Sequence, residues 1–396
     1  MLVAATAFFF TLFLIGSLFV SGVIPLTVGL FLTAIENLFS RFSKSEVEKR
    51  MNENQGKLIA ISILIPVFRD SEGLRRTLRS IQHVKAKAKI AKRIAIRVFV
   101  GIDGQCPDCS AVAKEYQTEI FVNDNNSGKW PTLLQLIDKS RDSDWIALVD
   151  AGVEWDEQLL ERCQGSLENR AVIGVAPSYR VRGIKGISRI SWWYEATLKS
   201  LENMLGGPIS VHGATVFYRR AELLSVLREL KGVNWLNDDV VIPLMLRSNF
   251  SEKQVIYHRR AFVNDKLSSG SGERAHIRRN RIAIGNCQWI KLLFPTVWRK
   301  NKVIALLAMR RVARLFWAWW SLFLAFALVP LILQNFNQRS NAVLIGYVSL
   351  FFIFFLLTKV LHSGLRFKPI LAAASASFRS PFLFFSVGNK QEVRWG

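Results

Sequence analysis

The sequence predicts an α/β domain with a parallel sheet, flanked at both ends of the chain by helices that cross a membrane. Three observations lead to this prediction. Short apolar strands alternate with helical patterns between residues 58 and 149, an uncharged run fills residues 1–35, and two further uncharged runs follow residue 314. Alternating strands and helices are typical of a parallel sheet, and about 20 apolar residues suffice to cross the hydrocarbon.

The composition excludes several classes of protein. Half of the 396 residues are hydrophobic, so the chain is not disordered. Four cysteines are too few for a disulfide-dense secreted scaffold, and the single Cys-Pro-Asp-Cys pattern at 106–109 lacks two further zinc ligands. The net charge of +23 predicts contact with anionic lipid, because basic residues flank the apolar runs. No nucleic-acid-binding module is visible, and no nucleic-acid partner is expected.

The apolar runs divide the chain into domains. Residues 1–35 predict an N-terminal transmembrane helix, since the positive n-region and cleavage site of a signal peptide are missing. Residues 315–361 predict two more crossings, at 315–333 and 342–358. The positive-inside rule then places residues 36–289 in the cytoplasm, attached to the inner or plasma membrane. Cysteines in that compartment are expected to be reduced.

Two segments are expected at the membrane surface. Residues 290–314 mix aromatic and aliphatic side chains with Lys and Arg, which predicts a basic amphipathic helix in the headgroup region. Residues 362–396 predict a membrane-proximal tail. Its apolar stretch 369–389 is interrupted by Arg379 and is expected to be interfacial or re-entrant, because an Arg at mid-depth is costly.

The predicted strands of the middle block place polar residues at one edge of the sheet. Residues 58–66, 94–102 and 145–149 are short apolar strands, and residues 71–82 and 130–138 have helical spacing. Ligands of such sheets bind beyond the carboxyl ends of the strands. The residues at these ends are Pro66, Asp103 and Asp150.

Acidic side chains carry the chemistry that we expect. Asp103 can accept hydrogen bonds from a base or a ribose, or it can cap the next turn. Asp150 can ligate a divalent cation. Asp238 and Asp239 are adjacent, so their repulsion can raise one pKa and create a general base. The alternative for this pair is a solvated helix start.

Basic and small residues complement the acids. Arg278 and Arg281 suit phosphate oxygens, although a solvated or membrane-facing basic surface would have the same pattern. Lys129 follows Asn-Asn-Ser-Gly and can approach a phosphate in the same way. Gly213 would allow a backbone to come close to a ligand.

The ordered motifs together resemble those of membrane-bound, inverting family 2 glycosyltransferases, in particular exopolysaccharide-type members related to cellulose and hyaluronan synthases. The similar segments over residues 60–290 are ILIPVFRDSEGLRRTLRSI, GIDG, NSGKWPTLLQLID, ALVDAGVEWDEQLL, the stretch from WWYEATL to RRAEL, LNDDVVIPL and ERAHIRRNRIAIGNCQ. Their order carries the resemblance, because each motif is weak alone. The resemblance implies a GT-A-like domain that binds a nucleotide sugar.

The resemblance also implies roles for the matching residues. Asp239, with Asp238 beside it, would deprotonate the acceptor hydroxyl, and Asp150 would bind Mg²⁺ or Mn²⁺. Gly213 would lie on the acceptor side. The nucleotide and its diphosphate would be bound by Pro66, Asp103, Lys129, Arg278 and Arg281. Direct attack at the anomeric carbon needs a base on one side and charge stabilisation on the other.

Two departures from the family pattern bear on the function. Gly152 stands where a second metal-binding acid is usual, which weakens the case for the metal. Processive synthases carry Gln-x-x-Arg-Trp before the membrane helices, whereas here the motif occurs only at 391–395. We therefore expect transfer of one sugar, UDP-linked in the donor, to a lipid-linked or membrane-proximal glycan in polysaccharide biosynthesis. The alternatives are a processive synthase, which would need an oligomeric pore, and a catalytically weak scaffold of an exopolysaccharide complex.

Overall fold

The computed structural model describes residues 58–90, 94–183, 187–266, 272–319 and 368–387. The predicted crossing at 1–35 lies outside these residues, as does the predicted pair at 315–361 from residue 320 onward. Within the described ranges, no helix is both long enough and apolar enough to span a bilayer.

An eight-stranded mixed sheet forms the centre of the protein, in the order β3-β2-β1-β4-β7-β6-β8-β5. The strands are β1 Ile59–Val67, β2 Ile94–Asp103, β3 Glu119–Asn123, β4 Trp145–Val149, β5 Glu154–Trp155, β6 Val172–Arg182, β7 Thr215–Arg219 and β8 Gln254–Lys266. The three predicted strands are confirmed as β1, β2 and β4. β3 was not predicted, because its residues are mostly half-exposed and form no continuous apolar run.

The prediction of a parallel sheet is correct for one half only. β3, β2, β1 and β4 are parallel, whereas β7 runs antiparallel to both β4 and β6. β6 and β8 are parallel, and β5 pairs antiparallel with β8. Because β7 begins at the edge where the parallel strands end, the loop before it meets the carboxyl end of β4. This reversal brings distant parts of the chain to one edge of the sheet.

Helices alternate with the strands and pack on both faces of the sheet, and in the described ranges four more helices follow the last strand. They are α1 Ser71–Ile90, α2 Pro107–Glu115, α3 Lys129–Lys139, α4 Leu159–Glu168, α5 Ile187–Glu202, α6 Arg220–Glu229, α7 Asp238–Asn249, α8 Gly272–Leu292, α9 Phe294–Lys300, α10 Lys302–Leu315 and α11 Lys368–Ser386. The helices predicted at 71–82 and 130–138 are confirmed as α1 and α3, and α1 continues to Ile90.

Alternate residues of the strands belong to two different hydrophobic clusters. Ile63 and Ile65 of β1 pack in one cluster, whereas Leu64 packs in the other. Ile146 and Ala147 of β4 divide in the same way. Because successive side chains of a strand point to opposite faces, both faces of the sheet are buried. This explains the continuous apolar runs of the sequence.

Segment 290–314 does not form the single helix that we predicted. It contains the end of α8, all of α9 and nearly all of α10, and the Asn301 side chain caps α10 by accepting from the Ile304 N–H at 3.1 Å. Val297 and Leu307 belong to the hydrophobic core. Arg310, expected near lipid, is 3% exposed because it faces acidic side chains of the domain. Contact of the outer face with lipid stays a prediction.

The stretch predicted as interfacial or re-entrant at 369–389 forms most of α11, which packs along α8. The Lys291 ammonium donates to the Val387 carbonyl at 2.7 Å, and the Ser377 hydroxyl donates to the Leu315 carbonyl at 2.8 Å. Phe382 is nevertheless exposed. The depth of α11 relative to a bilayer stays a prediction.

Cys106 and Cys109 form a disulfide at the start of α2, where we expected reduced thiols. The first turn of the helix brings their Cα atoms to 5.3 Å, which is within the range of a disulfide. Cys163 and Cys287 are free and buried.

Candidate active site

One ammonium group bridges two carboxylates at the carboxyl edge of the parallel strands. The Lys129 Nζ lies 2.7 Å from Oδ1 of Asp150, which follows β4, and 3.0 Å from Oδ2 of Asp238, which begins α7. Burial alone would lower the pKa of Lys129, but the charges of Asp150 and Asp238 raise it above its ordinary value. Lys129 therefore remains charged, and it holds the acid at the end of β4, Asp150, close to the acid at the start of α7, Asp238.

Asp103 shapes the turn that presents Lys129. Its buried carboxylate accepts hydrogen bonds from the backbone N–H of Ser127 at 2.8 Å and of Gly128 at 2.7 Å, and from the Asn123 amide at 3.2 Å. Gly128 has a φ of +99°, a conformation that favours glycine. Of the two roles considered for Asp103, capping of the next turn is the one that the geometry shows. Contact with a nucleoside stays a prediction.

Gly213 lies between Asp150 and the acid pair. A Cβ at this position would be 3.3 Å from the Cβ of Asp239 and 3.9 Å from Oδ2 of Asp150. The Asp150 N–H donates to the Ala214 carbonyl at 3.0 Å, which fixes the end of β4 against the start of β7. The antiparallel β7 is thus the reason that Gly213 enters the site.

Gly152 forms a backbone turn at the position where the resemblance implies a second metal-binding acid. Its φ is +97°, and its N–H donates to the Thr77 hydroxyl at 2.9 Å. An aspartate here would adopt a strained left-handed conformation. The turn is therefore attached to α1, and Asp150 is the one carboxylate within the turn 150–152.

Asp239 has the electrostatic environment of a base. Burial and the neighbouring Asp238 raise its pKa, while Arg311, Lys129 and Lys199 act in the opposite direction. Asp238 is the member of the pair that contacts Lys129. We predicted that repulsion between the two acids raises one pKa, and Asp239 is the acid whose pKa is raised. Its use as a general base stays a prediction. The pair does begin a helix, but Asp238 is buried, so it is not a solvated helix start.

Helix α8 holds the acid pair through the residue that precedes it. The Asn237 amide donates to the Asn286 side chain at 3.2 Å and to the Ile282 carbonyl at 3.3 Å. Gln288 accepts from the Leu236 N–H at 3.2 Å. A Cβ on Gly285 would lie 2.5 Å from Oδ1 of Asn237, so the two elements touch closely. Sequence reasoning missed this support, although Asn before Asp-Asp is a typical helix N-cap.

The remaining predicted residues are less central. Pro66 is buried within β1 and pairs with Gly101, one residue before the strand ends. Arg281 is half-buried on α8, and in the described part of the chain no hydrogen bond or ion pair joins it to Asp150, Asp238 or Asp239. The side chain of Arg278 lies outside the described residues. Their binding of nucleotide and diphosphate stays a prediction.

The site offers few protein ligands for a metal. In the ranges described, no group of three or more His, Cys, Asp or Glu side chains is arranged to hold an ion. Asp150 and Asp238 nevertheless face one cation, the Lys129 ammonium. Magnesium is commonly bound by one or two carboxylates together with substrate phosphates. The donor set therefore fits a hard divalent cation that is shared with a phosphorylated substrate.

Comparison with known families agrees with this site. Residues 62–228 match the family Glycosyl transferase family 2. The chain contains a family 2 glycosyltransferase domain. By this match it is an enzyme of the glycosyltransferase class, and the match includes Asp103, Lys129, Asp150 and Gly213 but ends before Asp238. No curated protein matches the sequence of the chain significantly.

Several solved structures are similar to this chain. Mannosyltransferase PcManGT from Pyrobaculum calidifontis, in complex with GDP-Man and Mn²⁺, is 13% identical with a TM-score of 0.59 over 91% of this chain and 99% of its own. Glucosyl-3-phosphoglycerate synthase from Mycobacterium tuberculosis, with Mn²⁺, UDP and glucosyl-3-phosphoglycerate, is 14% identical with a TM-score of 0.38 over 57% and 78%. Mannosyl-3-phosphoglycerate synthase from Rubrobacter xylanophilus is 13% identical with a TM-score of 0.40 over 57% and 72%. The likeness to PcManGT shows that the fold is shared beyond the matched family segment.

Proposed function

We propose that the enzyme moves one sugar from a nucleotide sugar to a hydroxyl of a lipid-linked or membrane-proximal glycan, with inversion at the anomeric carbon. The supporting observation is the convergence of Lys129, Asp150, Asp238 and Asp239 around Gly213. This edge of the sheet is where ligands of such folds bind.

Asp239 is the base of the proposed reaction. Its carboxylate takes the proton of the acceptor hydroxyl, and the acceptor oxygen attacks the anomeric carbon. The bond from that carbon to the diphosphate oxygen breaks, and the nucleoside diphosphate leaves with the electron pair. Lys129 stabilises the negative charge that develops on the leaving group. Because attack and departure occur on opposite sides, the anomeric configuration inverts.

Asp150 would hold Mg²⁺ or Mn²⁺, with Asp238 as a second carboxylate. When bound, the cation would neutralise charge on the diphosphate. The related structure of PcManGT contains Mn²⁺ and GDP-Man, whereas we expected a UDP-linked donor from the sequence. Both classes of nucleotide therefore belong in the test.

The enzyme is proposed to work at the cytoplasmic face of a membrane, in polysaccharide biosynthesis. Support comes from the uncharged runs at 1–35, 315–333 and 342–358 and from the basic residues beside them. A reporter inserted in the loop 334–341 should give an extracytoplasmic signal. A cytoplasmic signal from that position would reverse the proposed orientation.

The deciding experiment measures hydrolysis and transfer with UDP- and GDP-sugars, using the full chain in lipid nanodiscs with and without Mg²⁺ or Mn²⁺. Release of nucleoside diphosphate from one donor, lost in Asp239→Asn, supports the proposal. Asp142→Asn is the matched control, because its side chain is 89% exposed and outside the site. A ladder of products would indicate a processive synthase instead. If no donor is hydrolysed or transferred, and Asp239→Asn is as inactive as the parent, the scaffold alternative is favoured.

A further inference from the structure

A buried group of charges lies beside Asp239, where α5 packs against α10. Glu202 pairs with Arg310 at 2.8 Å, and Glu195 pairs with Lys199 at 3.3 Å and with Arg314. Glu202, Lys199 and Arg310 are each at most 3% exposed. Two carboxylates thus face two buried cations, and the half-exposed Arg314 adds a third positive charge.

Arg311 adds a further cation to this group. Its guanidinium donates to the Ser210 hydroxyl, and among the described residues it has no ion pair with a carboxylate within 4.0 Å. Burial lowers the pKa of Arg311, and Asp239 is the first of the charges that raise it. Arg311 therefore has guanidinium donors to spare, next to the base of the proposed reaction.

The surplus of positive charge affects neighbouring groups. Burial, followed by Arg311 and Arg310, lowers the pKa of Lys199 to about 7. Burial, followed by Lys199 and Arg311, lowers the pKa of His212 well below its ordinary value. Burial is the main cause of both shifts, and the neighbouring cations add to it. Among the described residues, the nearby carboxylates are those of Glu195, Glu202 and Asp239, whereas the nearby cations are Lys199, Arg310, Arg311 and Arg314. An external anion would therefore compensate the remaining positive charge.

An aromatic wall adjoins the same place. His212 is 5.1 Å from Trp192 and 5.6 Å from Tyr179, measured between ring centroids, and Trp192 is 5.0 Å from Tyr179. The Nε2 of His212 is buried and has no hydrogen-bond partner in the part of the chain that the structure describes. His212 directly precedes Gly213, which touches Asp239. The surroundings of the base thus combine spare cationic donors, an unpartnered nitrogen and apolar rings.

We propose that the cluster of Arg311, Ser210 and His212 beside Asp239 binds a phosphate group carried by the acceptor. The inference rests on the proposed glycosyltransferase function and names the class of its acceptor. A guanidinium recognises phosphate oxygens through two parallel hydrogen bonds. Phosphate suits this cluster better than a neutral hydroxyl, because it supplies negative charge.

The location of Arg311 assigns it to the acceptor and not to the donor. Lys129 lies at the Asp150 and Asp238 end of the site, where the donor diphosphate is expected. Arg311 instead neighbours Asp239, and its partner Ser210 directly precedes Val211, whose N–H donates to the Asp239 carbonyl at 2.9 Å. Lys129 therefore lies at Asp238, and Arg311 lies near Asp239.

The test measures binding before turnover, with the full chain in phosphatidylcholine nanodiscs. Octyl phosphate and octanol are titrated calorimetrically into the parent, into Arg311→Gln and into Lys302→Gln, an exposed control on the same helix. We expect octyl phosphate to bind the parent and Lys302→Gln equally, and Arg311→Gln roughly 10- to 100-fold more weakly. Arg311→Lys, which keeps the charge but loses the planar fork, should be intermediate and serves if Arg311→Gln does not fold.

Kinetics then separate the source of the phosphate and the role of Arg311. One sugar is offered as an octyl glycoside, as an octyl phosphodiester and as a soluble sugar phosphate. The inference is supported if a phosphorylated acceptor has a lower KM than the octyl glycoside and if Arg311→Gln removes this difference. Donor hydrolysis and donor KM should be unchanged in the variant. The phosphorylated acceptor with the lower KM identifies the source of the phosphate, lipid or soluble. Equal binding of octyl phosphate to parent and Arg311→Gln would overturn it, as would an equal rise in donor KM. Absence of all donor hydrolysis would count against the proposed function, while the calorimetry still decides the phosphate site.

Discussion

The Nζ of Lys129 lies 2.7 Å from Asp150, and the same atom lies 3.0 Å from Asp238, 109 residues later in the chain than Lys129. A single cation therefore joins the half of the site that follows the parallel strands to the half that begins α7. Without it, the half-exposed carboxylate of Asp150 and the largely buried carboxylate of Asp238 would face each other and repel.

Replacing Lys129 by Met should nearly abolish sugar transfer. The variant leaves Asp150 and Asp238 without their shared cation and removes a charge from the leaving-group side, so we expect kcat to fall by on the order of 100-fold or more. Lys139→Met, at the exposed end of the same helix, is the control. Steady-state kinetics of both variants test this. Equal activity of Lys129→Met and Lys139→Met would remove Lys129 from the mechanism.

The acid limb of the pH–rate profile should lie above the range of an ordinary aspartate. Asp239 acts only when it is deprotonated, and burial and Asp238 raise its pKa, so kcat/KM should rise with pH through that raised pKa. In Asp238→Asn the like charge is gone, so the limb should move to lower pH. Profiles of kcat/KM for both proteins measure the shift. A limb that moves upward in Asp238→Asn contradicts the assignment.

Gly285→Ala should damage both stability and activity. Its Cβ would meet the Asn237 side chain at 2.5 Å and push the residue that precedes the acid pair. Overpacking of this kind costs roughly 1–3 kcal/mol, and a misplaced base lowers kcat. Gly165→Ala is the matched control, because it lies in α4 with open space around it and should stabilise by about 0.5–1 kcal/mol. Chemical denaturation and kcat of the two variants provide the comparison.

Glu202→Gln should destabilise the domain strongly. Glu202 is 2% exposed on its side chain and pairs with Arg310, which is 4% exposed on its own. Removing one partner leaves a buried charge uncompensated, which costs roughly 3–5 kcal/mol. Glu119→Gln removes a partner of Arg97 from a surface pair and should change stability little. If Glu202→Gln and Glu119→Gln have similar free energies of unfolding, the buried pair is not needed for stability.

Sequence reasoning located the part of the site around Lys129 and Asp150 better than the part around Asp239 and Arg311. β1, β2, β4 and α3 follow one another locally, so apolar runs and the residues that end them were sufficient to locate Asp150 and Lys129. The antiparallel entry of β7 leaves no local signal, since a strand has the same pattern in both directions. Arg311 was interpreted as a residue near lipid for a similar reason. Its distance from Ser210 depends on how α10 packs, and packing over 101 residues of chain cannot be read from composition.

The dependence of Asp239 on α8 has a consequence for modularity. In the proposed mechanism, Lys129 and Asp150 bind the donor and Asp239 activates the acceptor. A fragment ending with the family match at residue 228 would retain Lys129 and Asp150 but lose Asp238, Asp239 and the support from α8. Exchange of residues 187–315 between relatives would move Asp239, Asn237 and α8 together, so we expect acceptor preference to be transferred as a unit. Asp238, the carboxylate that faces Lys129, would be exchanged with them, so the contact between the two halves of the site has to be kept in the hybrid.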